Sequence, residues 1–229
     1  MIFFQGVTKV YLSHSGPIVA LKDISFEIKE GEFVSIIGKS GAGKTTLFKL
    51  LVGEETPTTG KVLFKGKLIS KMSSKQLQFL RRRVGVIYQD YKLLFTKTVR
   101  ENVEYLMQVI GAPDKIIRQD VPQILEVVGL GHRQHSFPVE LSGGEKQRLV
   151  IARALAHQPQ VIIADELTGN LDHYNAIEII NLLKKIHQLG TTIILATHNK
   201  GIVNDLNHRV ISLEEGQLIY DIPQGKFIL

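Results

Sequence analysis

Ser35-Ile36-Ile37-Gly38-Lys39-Ser40-Gly41-Ala42-Gly43-Lys44-Thr45 is the stretch on which the fold turns. A short apolar strand runs into the spacing G-x-x-x-x-G-K-[ST], and Thr45 to Val52 then reads as a helix. Glycines let such a loop wrap a phosphate, with successive backbone N–H groups pointing at it. The helix that follows turns its positive end toward the anion. The Lys44 ammonium can reach β- and γ-phosphate oxygens, and the Thr45 hydroxyl can ligate Mg²⁺. Strand and helix flank the loop as this chemistry requires, so a plain Gly-rich turn is the poorer explanation.

Outward from this loop, apolar runs alternate with helical periods. Val84–Tyr88, Val161–Ala164 and Thr192–Ala196 read as buried strands. Thr98 can cap a helix with Val99, Val103, Leu106 and Ile110 on one face, and Pro113 opens another through Leu125. Ala176, Ile179, Ile180, Leu183 and Ile186 mark a further amphipathic helix. This alternation predicts an α/β fold with a mostly parallel sheet. The middle, about 90–140, reads as an inserted α-helical subdomain. The first 30 and last 25 residues favour short strands and turns, as in an antiparallel β edge subdomain.

Three further positions carry chemistry. Val161-Ile162-Ile163-Ala164-Asp165-Glu166 is an apolar strand ending in two carboxylates, which a parallel sheet delivers to its C-terminal edge. Asp165 there can hold Mg²⁺ and Glu166 can polarise an attacking water. His198 and Gln89 follow strands at the same kind of edge. A neutral imidazole can bond a phosphate or orient Glu166. An amide can ligate Mg²⁺ or place water. Finally, Ser142 caps a helix with Glu145 three residues on. That helix start is either an ordinary capped terminus or a second phosphate contact across a dimer.

Composition narrows the classes. The 229 residues are 44% hydrophobic and 22% charged, values of a globular chain. The absence of Cys excludes disulfide scaffolds and Cys-ligated metals. The longest stretch without Asp, Glu, Lys or Arg, Ile186 to Asn199, is too short and too polar to span a bilayer. MIFFQGVTKVYL lacks the pattern of a signal peptide, so a cytosolic chain is expected, reaching a membrane only through a partner. A net charge of +6 suits anionic ligands without choosing among them. The densest basic run, Arg81-Arg82-Arg83, reads as a solvated helix end.

Together these residues resemble the ATP-binding subunits of ABC transporters. Gly38–Thr45 is similar to Walker A, Val161–Asp165 to Walker B and Leu141–Gln147 to the LSGGQ signature, with Glu145 in the Gln place. Gln89 is similar to the Q-loop, Gly169-Asn170-Leu171-Asp172 to the D-loop and His198 to the switch histidine. The resemblance implies one ABC ATP-binding domain over 1–229 with a P-loop NTPase core. It implies ATP and Mg²⁺, with Lys44, Glu166 and His198 catalytic and Thr45, Gln89 and Asp165 on the metal. Nucleotide contacts would come from Tyr11, stacked on adenine, from Gly38, Lys39, Ser40, Gly41, Ala42, Gly43, Lys44, Thr45 and Thr46, and from Gln89, Ser142, Gly143, Gly144, Glu145 and Asp172.

It also implies an ATP-dependent head-to-tail homodimer and a membrane protein docked near the helical insert. Within the family, Arg81–Val103 with Asp90 directly after Gln89 is most similar to the cell-division ATPases of the FtsE subfamily. These work at the cytoplasmic face of the plasma (inner) membrane with an integral partner of the FtsX kind, and control cell-wall hydrolysis. A lipoprotein-releasing or macrolide-efflux ATPase is the alternative, and a soluble ABC ATPase acting on nucleic acid a more distant one; no nucleic-acid partner is expected. Two departures stand out. Leu167 replaces the usual Pro after the catalytic Glu and removes a fixed φ beside it. Lys39 is an added charge in the phosphate loop, aimed at the triphosphate or at solvent.

Overall fold

The computed structural model describes residues 1–14, 16–88, 90–167, 169 and 171–225. In chain order the elements are β1 (Ile2–Ser13), β2 (Gly16–Ile28), β3 (Phe33–Ile37), α1 (Lys44–Leu51), β4 (Thr59–Phe64), β5 (Lys67–Leu68), α2 (Ser74–Arg81) and β6 (Val84–Ile87). Then follow α3 (Val99–Val109), α4 (Asp114–Val127), α5 (Gly143–Leu155), β7 (Val161–Asp165), α6 (His173–Gln188), β8 (Thr192–Thr197), α7 (Lys200–Leu206), β9 (Arg209–Glu214) and β10 (Gln217–Ile222). The chain divides into two compact units, one made of residues 1–81 with those from 192 onward, the other of residues 82–191.

In the first unit β3 lies between β8 and β9 and runs parallel to both. All five β3 residues are buried, so the strand is a continuous apolar run rather than an alternating one. Burying each of its large side chains contributes roughly 1.5–3 kcal/mol. Ile37 pairs with Thr197 and with Ser212. The next residues, Gly38 and His198, therefore leave the sheet at one edge from neighbouring strands. β10 closes this side antiparallel to β9. A second sheet has the order β2-β1-β4-β5.

The N-terminal strands differ from the short pieces expected. β1 and β2 have 12 and 13 residues and pair from Ile2↔Ile28 to Ser13↔Gly16. Three register shifts interrupt the ladder. Each bulge breaks the period-two alternation, which makes one long hairpin look like several fragments. Arg81 also differs from a solvated helix end. Its Nε donates to Val52 O at 3.0 Å and its Nη2 to Gly53 O at 3.0 Å, so it caps the C-terminal end of α1.

In the second unit β6 and β7 pair in parallel, with Ile87 opposite Ala164. β6 stops at Ile87, one residue short of the expected Tyr88. Between β6 and α5 the regular elements among the described residues are helical. Thr98 caps α3, as expected, and the structure adds a capping box with Glu101. Buried Asn102 ties the preceding loop to α3. Its Nδ2 donates to the carbonyls of Leu94, Lys97 and Thr98, and its Oδ1 accepts from Leu94 N. Such a fully partnered buried amide holds a turn without leaving an unpaired group.

Candidate active site

The phosphate loop is built around the ammonium of Lys44. The side chain is buried and its Nζ donates to Gly38 O at 2.8 Å and Lys39 O at 3.1 Å. Ala42 N donates to Lys39 O at 3.1 Å and tightens the same turn. Gly43, at φ +100°, opens α1. A Cβ there would stand 2.6 Å from Ala20 O and 2.7 Å from Leu21 Cδ2, so β2 passes too close for any other residue. A Cβ at Gly38 would stand 2.5 Å from Leu213 O. Strand β2 and the end of β9 thus wall the loop on two sides. Gly41, at φ +82°, faces open space instead.

These features fit a triphosphate. The start of α1 has no side-chain cap and no acid in its first turn, so its positive end is not already neutralised by the protein. Ser40, Gly41 and Thr45 are exposed, Ala42 is buried and Thr46 is half-buried. Lys39 reaches outward: its Nζ lies 3.9 Å from Glu214 and its side chain is 77% exposed. Tyr11 sits half-buried on β1, opposite Ile18 of β2. His198 is exposed just past β8, and Asn199 beside it caps α7 by accepting from Ile202 N.

The second unit carries the acids. Asp165, buried, ends β7 as its apolar run predicts. Glu166 follows half-buried at φ +49°, in the left-handed region that costs a residue with a side chain roughly 1–2 kcal/mol. Gly169 N donates to Glu166 O at 3.1 Å and closes the turn. Leu167 is 3% exposed, so the residue in the usual Pro position anchors this turn in the core. Gln89, Thr168 and Asn170 lie outside the described residues.

The start of α5 is a closed capping box. Ser142 Oγ accepts from Glu145 N at 3.2 Å, and Glu145 Oε2 accepts from Ser142 N at 2.8 Å. Arg133 Nε donates to Glu145 Oε1 at 3.0 Å. The Ser142 amide first, and Arg133 with it, hold the Glu145 carboxyl below the usual range. Gly143 is exposed and Gly144 is buried against α6, where its Cα faces Asn175 Oδ1. Asn175 is in turn bonded to Asp172, the cap of α6, whose carboxyl is lowered mainly by the Asn175 amide. Ser142, Gly143, Gly144, Glu145 and Asp172 therefore gather in one unit with Asp165 and Glu166, while Tyr11, the phosphate loop and His198 gather in the other.

Among the described residues no group of three or more His, Cys, Asp or Glu could hold a metal ion. Mg²⁺ is bound in such proteins by one or two side chains together with substrate phosphates, not by a protein cage. The Thr45 hydroxyl in the first unit and the Asp165 carboxylate in the second are each a donor of that kind. Sequence reasoning missed Arg133, Asn175, and the pair Lys9–Glu55 beside Tyr11. Only Asn175 carried a local signal, as the residue three after the helix cap Asp172.

A family profile described as ABC transporter matches residues 21–169. The chain belongs to the ABC transporter family. It is similar to the cell division ATP-binding protein FtsE of Streptococcus pneumoniae serotype 2 (strain D39), 49% identical over 227 residues that cover 99% of this chain and 97% of that protein. FtsE of Bacillus subtilis (strain 168) is 43% identical over 219 residues, 96% of each. A solved dimer of an ATP-binding cassette in a post-hydrolysis state, bound to ADP and Pi, superposes with a TM-score of 0.88 at 33% identity, covering 99% of this chain and all of that one. The chain has the expected α/β P-loop NTPase fold of an ABC cassette. It is an ABC-type ATPase. None of its described helices is long and apolar enough to cross a membrane.

Proposed function

We propose that this ABC ATPase is the cytoplasmic subunit of a cell-division complex, held at the inner face of the plasma membrane by an integral partner of the FtsX kind. Residues 1–229 act as one ATP-binding domain, with about 90–140 as its helical subdomain. ATP binding closes a head-to-tail homodimer, hydrolysis reopens it, and the partner passes the change outward to control cell-wall hydrolysis. The observation that carries this reading is similarity over nearly the whole chain to cell-division relatives, 43–49% identical.

In the reaction, the 38–43 loop and the start of α1 bind the triphosphate, and the Lys44 ammonium neutralises its terminal oxygens. Tyr11 stacks on the adenine. Glu166 takes up the proton of the attacking water as general base, and His198 orients that carboxylate or the γ-phosphate. Thr45, Asp165 and Gln89 hold Mg²⁺, which supplies charge neutralisation on the phosphates when bound. Ser142, Gly143 and Gly144, with Asp172 nearby, contact the nucleotide held by the other protomer. Ser142 and Gly143 are exposed at this start, which leaves the helix N-terminus open to an anion brought by a second protomer.

The test uses tagged Glu166→Gln chain, which should bind ATP, hydrolyse it hardly at all and accumulate as an ATP-dependent dimer. It is captured with ATP from gently solubilised membranes. A four-span protein of the FtsX kind in the capture supports the reading. A lipoprotein or drug exporter moves the chain to that branch, and retained turnover removes Glu166 as the base.

A further inference from the structure

Lys9 is a buried cation that the reaction above does not use. Its residue is 9% exposed. The Nζ donates to Glu55 Oε2 at 2.7 Å and to Thr56 O at 2.9 Å, and lies 4.8 Å from the centre of the Tyr11 ring. A register shift between Lys9 and Val10 bends β1 at this point, and the ammonium stands over the Tyr11 ring two residues on. The segment holding Glu55 hangs on α1: Glu54 N and Glu55 N both donate to Lys49 O, at 2.9 and 3.2 Å. A connected path therefore runs from the phosphate loop along α1, through Lys49 and Glu55, to Lys9 and the ring. As an ion pair this is a poor source of stability, since an apolar residue of like length would serve about as well. What the pair supplies is direction. It fixes the ammonium against the ring, where a cation within about 6 Å is attracted to the π face.

We propose that Lys9, held by Glu55, is a positioning residue for Tyr11 and sets the preference of the nucleotide site for a base-bearing triphosphate over a bare one. One face of the ring is committed to the ammonium, and the ring's tilt relative to the phosphate loop is set through α1. The inference rests on the reading of Tyr11 as the adenine platform.

The test measures ATPase kinetics of the full chain with MgATP, and inhibition by magnesium tripolyphosphate, which has the phosphates without the base. Lys9→Met should raise the KM for ATP about fivefold, leave kcat at saturation alone, and leave tripolyphosphate inhibition unchanged. Lys9→Arg should restore most of the loss. Tyr11→Ala should raise KM at least as much, and the double variant no further. Equal weakening toward ATP and tripolyphosphate in Lys9→Met would make Lys9 merely structural and overturn the proposal. An effect of Tyr11→Ala with none from Lys9→Met would overturn it while keeping Tyr11 as the platform. No base-specific effect from Tyr11→Ala would overturn both.

Discussion

Gly144→Ala separates the two possible uses of the α5 start. Gly144 is the second residue of α5, with no positive φ. A methyl group there overlaps Asn175 Oδ1 and stands 3.0 Å from its Cγ. The obstacle is the end of a side chain, which can swing away by giving up its bond to Asp172. That costs about 0.5–1.5 kcal/mol. Replacing a helical Gly by Ala returns about 0.5–1 kcal/mol. The two nearly cancel, so the melting temperature should stay within roughly 4 °C of the parent. Gly85 in β6 is the contrast. Its Cβ would stand 2.9 Å from Ala154 O and 3.3 Å from both Ala154 Cβ and Pro159 Cγ, and none of these can swing. Overpacking there should cost about 1–3 kcal/mol. Melting curves test this half of the argument. The functional half uses size exclusion with ATP in the Glu166→Gln background. Gly144→Ala should melt normally yet fail to dimerise, because the methyl drives Asn175 off Asp172 beside the helix start proposed to meet the partner's phosphate. A normal dimer would refute the phosphate role. A fall in melting temperature matching that of Gly85→Ala would refute the packing argument.

Leu167→Pro should leave ATP affinity intact and change kcat, since Pro restricts the residue before it and Glu166 occupies φ +49°; equal rates within error would mean the turn is neutral. Arg209 donates from Nε and Nη2 to Asp221 at 2.7 and 2.6 Å, and from Nη1 to Glu32 at 2.8 Å. Arg209→Met leaves half-buried Glu32 and exposed Asp221 short of a partner and should cost about 2 kcal/mol, a fall of roughly 4–8 °C read by calorimetry; an unchanged melting point would show that the pairs contribute nothing to stability. Burial lowers the His157 imidazole below its usual 6.5. The unfolded chain then takes up the proton first, so stability is full above pH 6.5 and declines as pH falls below it. Denaturant titrations across that range should lose this slope in His157→Leu, and an unaltered slope would remove His157 as its source. The lowered Glu145 carboxyl contributes stability above its usual 4.5 that is lost at lower pH, and Glu145→Gln should flatten that lower limb alone.

Much of the site was legible because its signals are local. The phosphate loop, the Thr98 cap, the Ser142 capping box and the apolar run into Asp165 each live within a few residues, where hydrogen bonds and strand or helix periodicity act directly on neighbours. The Asp172–Asn175 cap is just as local, spanning three residues, yet it was missed because the stretch was read only as a motif. The long N-terminal hairpin was not legible, because three bulges reset its alternation. Neither was the role of Arg81, whose partners just past the end of α1 lie 28 and 29 residues away.

The sequence by itself determined the groups the chain brings to chemistry: a Gly-rich phosphate loop with a lysine, paired carboxylates after an apolar strand, and a helix start capped by Ser142. These follow from residue type and short spacing, which no later folding step alters. Tertiary structure alone decided how each group is held. Gly43 must be Gly because β2 comes within contact of it, Glu145 keeps its charge with help from Arg133, Gly144 abuts Asn175, and Lys9 meets Glu55 beneath Tyr11 across 46 residues. Those contacts join elements far apart in the chain. They exist only once burial of the apolar faces has brought the elements together, so no local pattern records them.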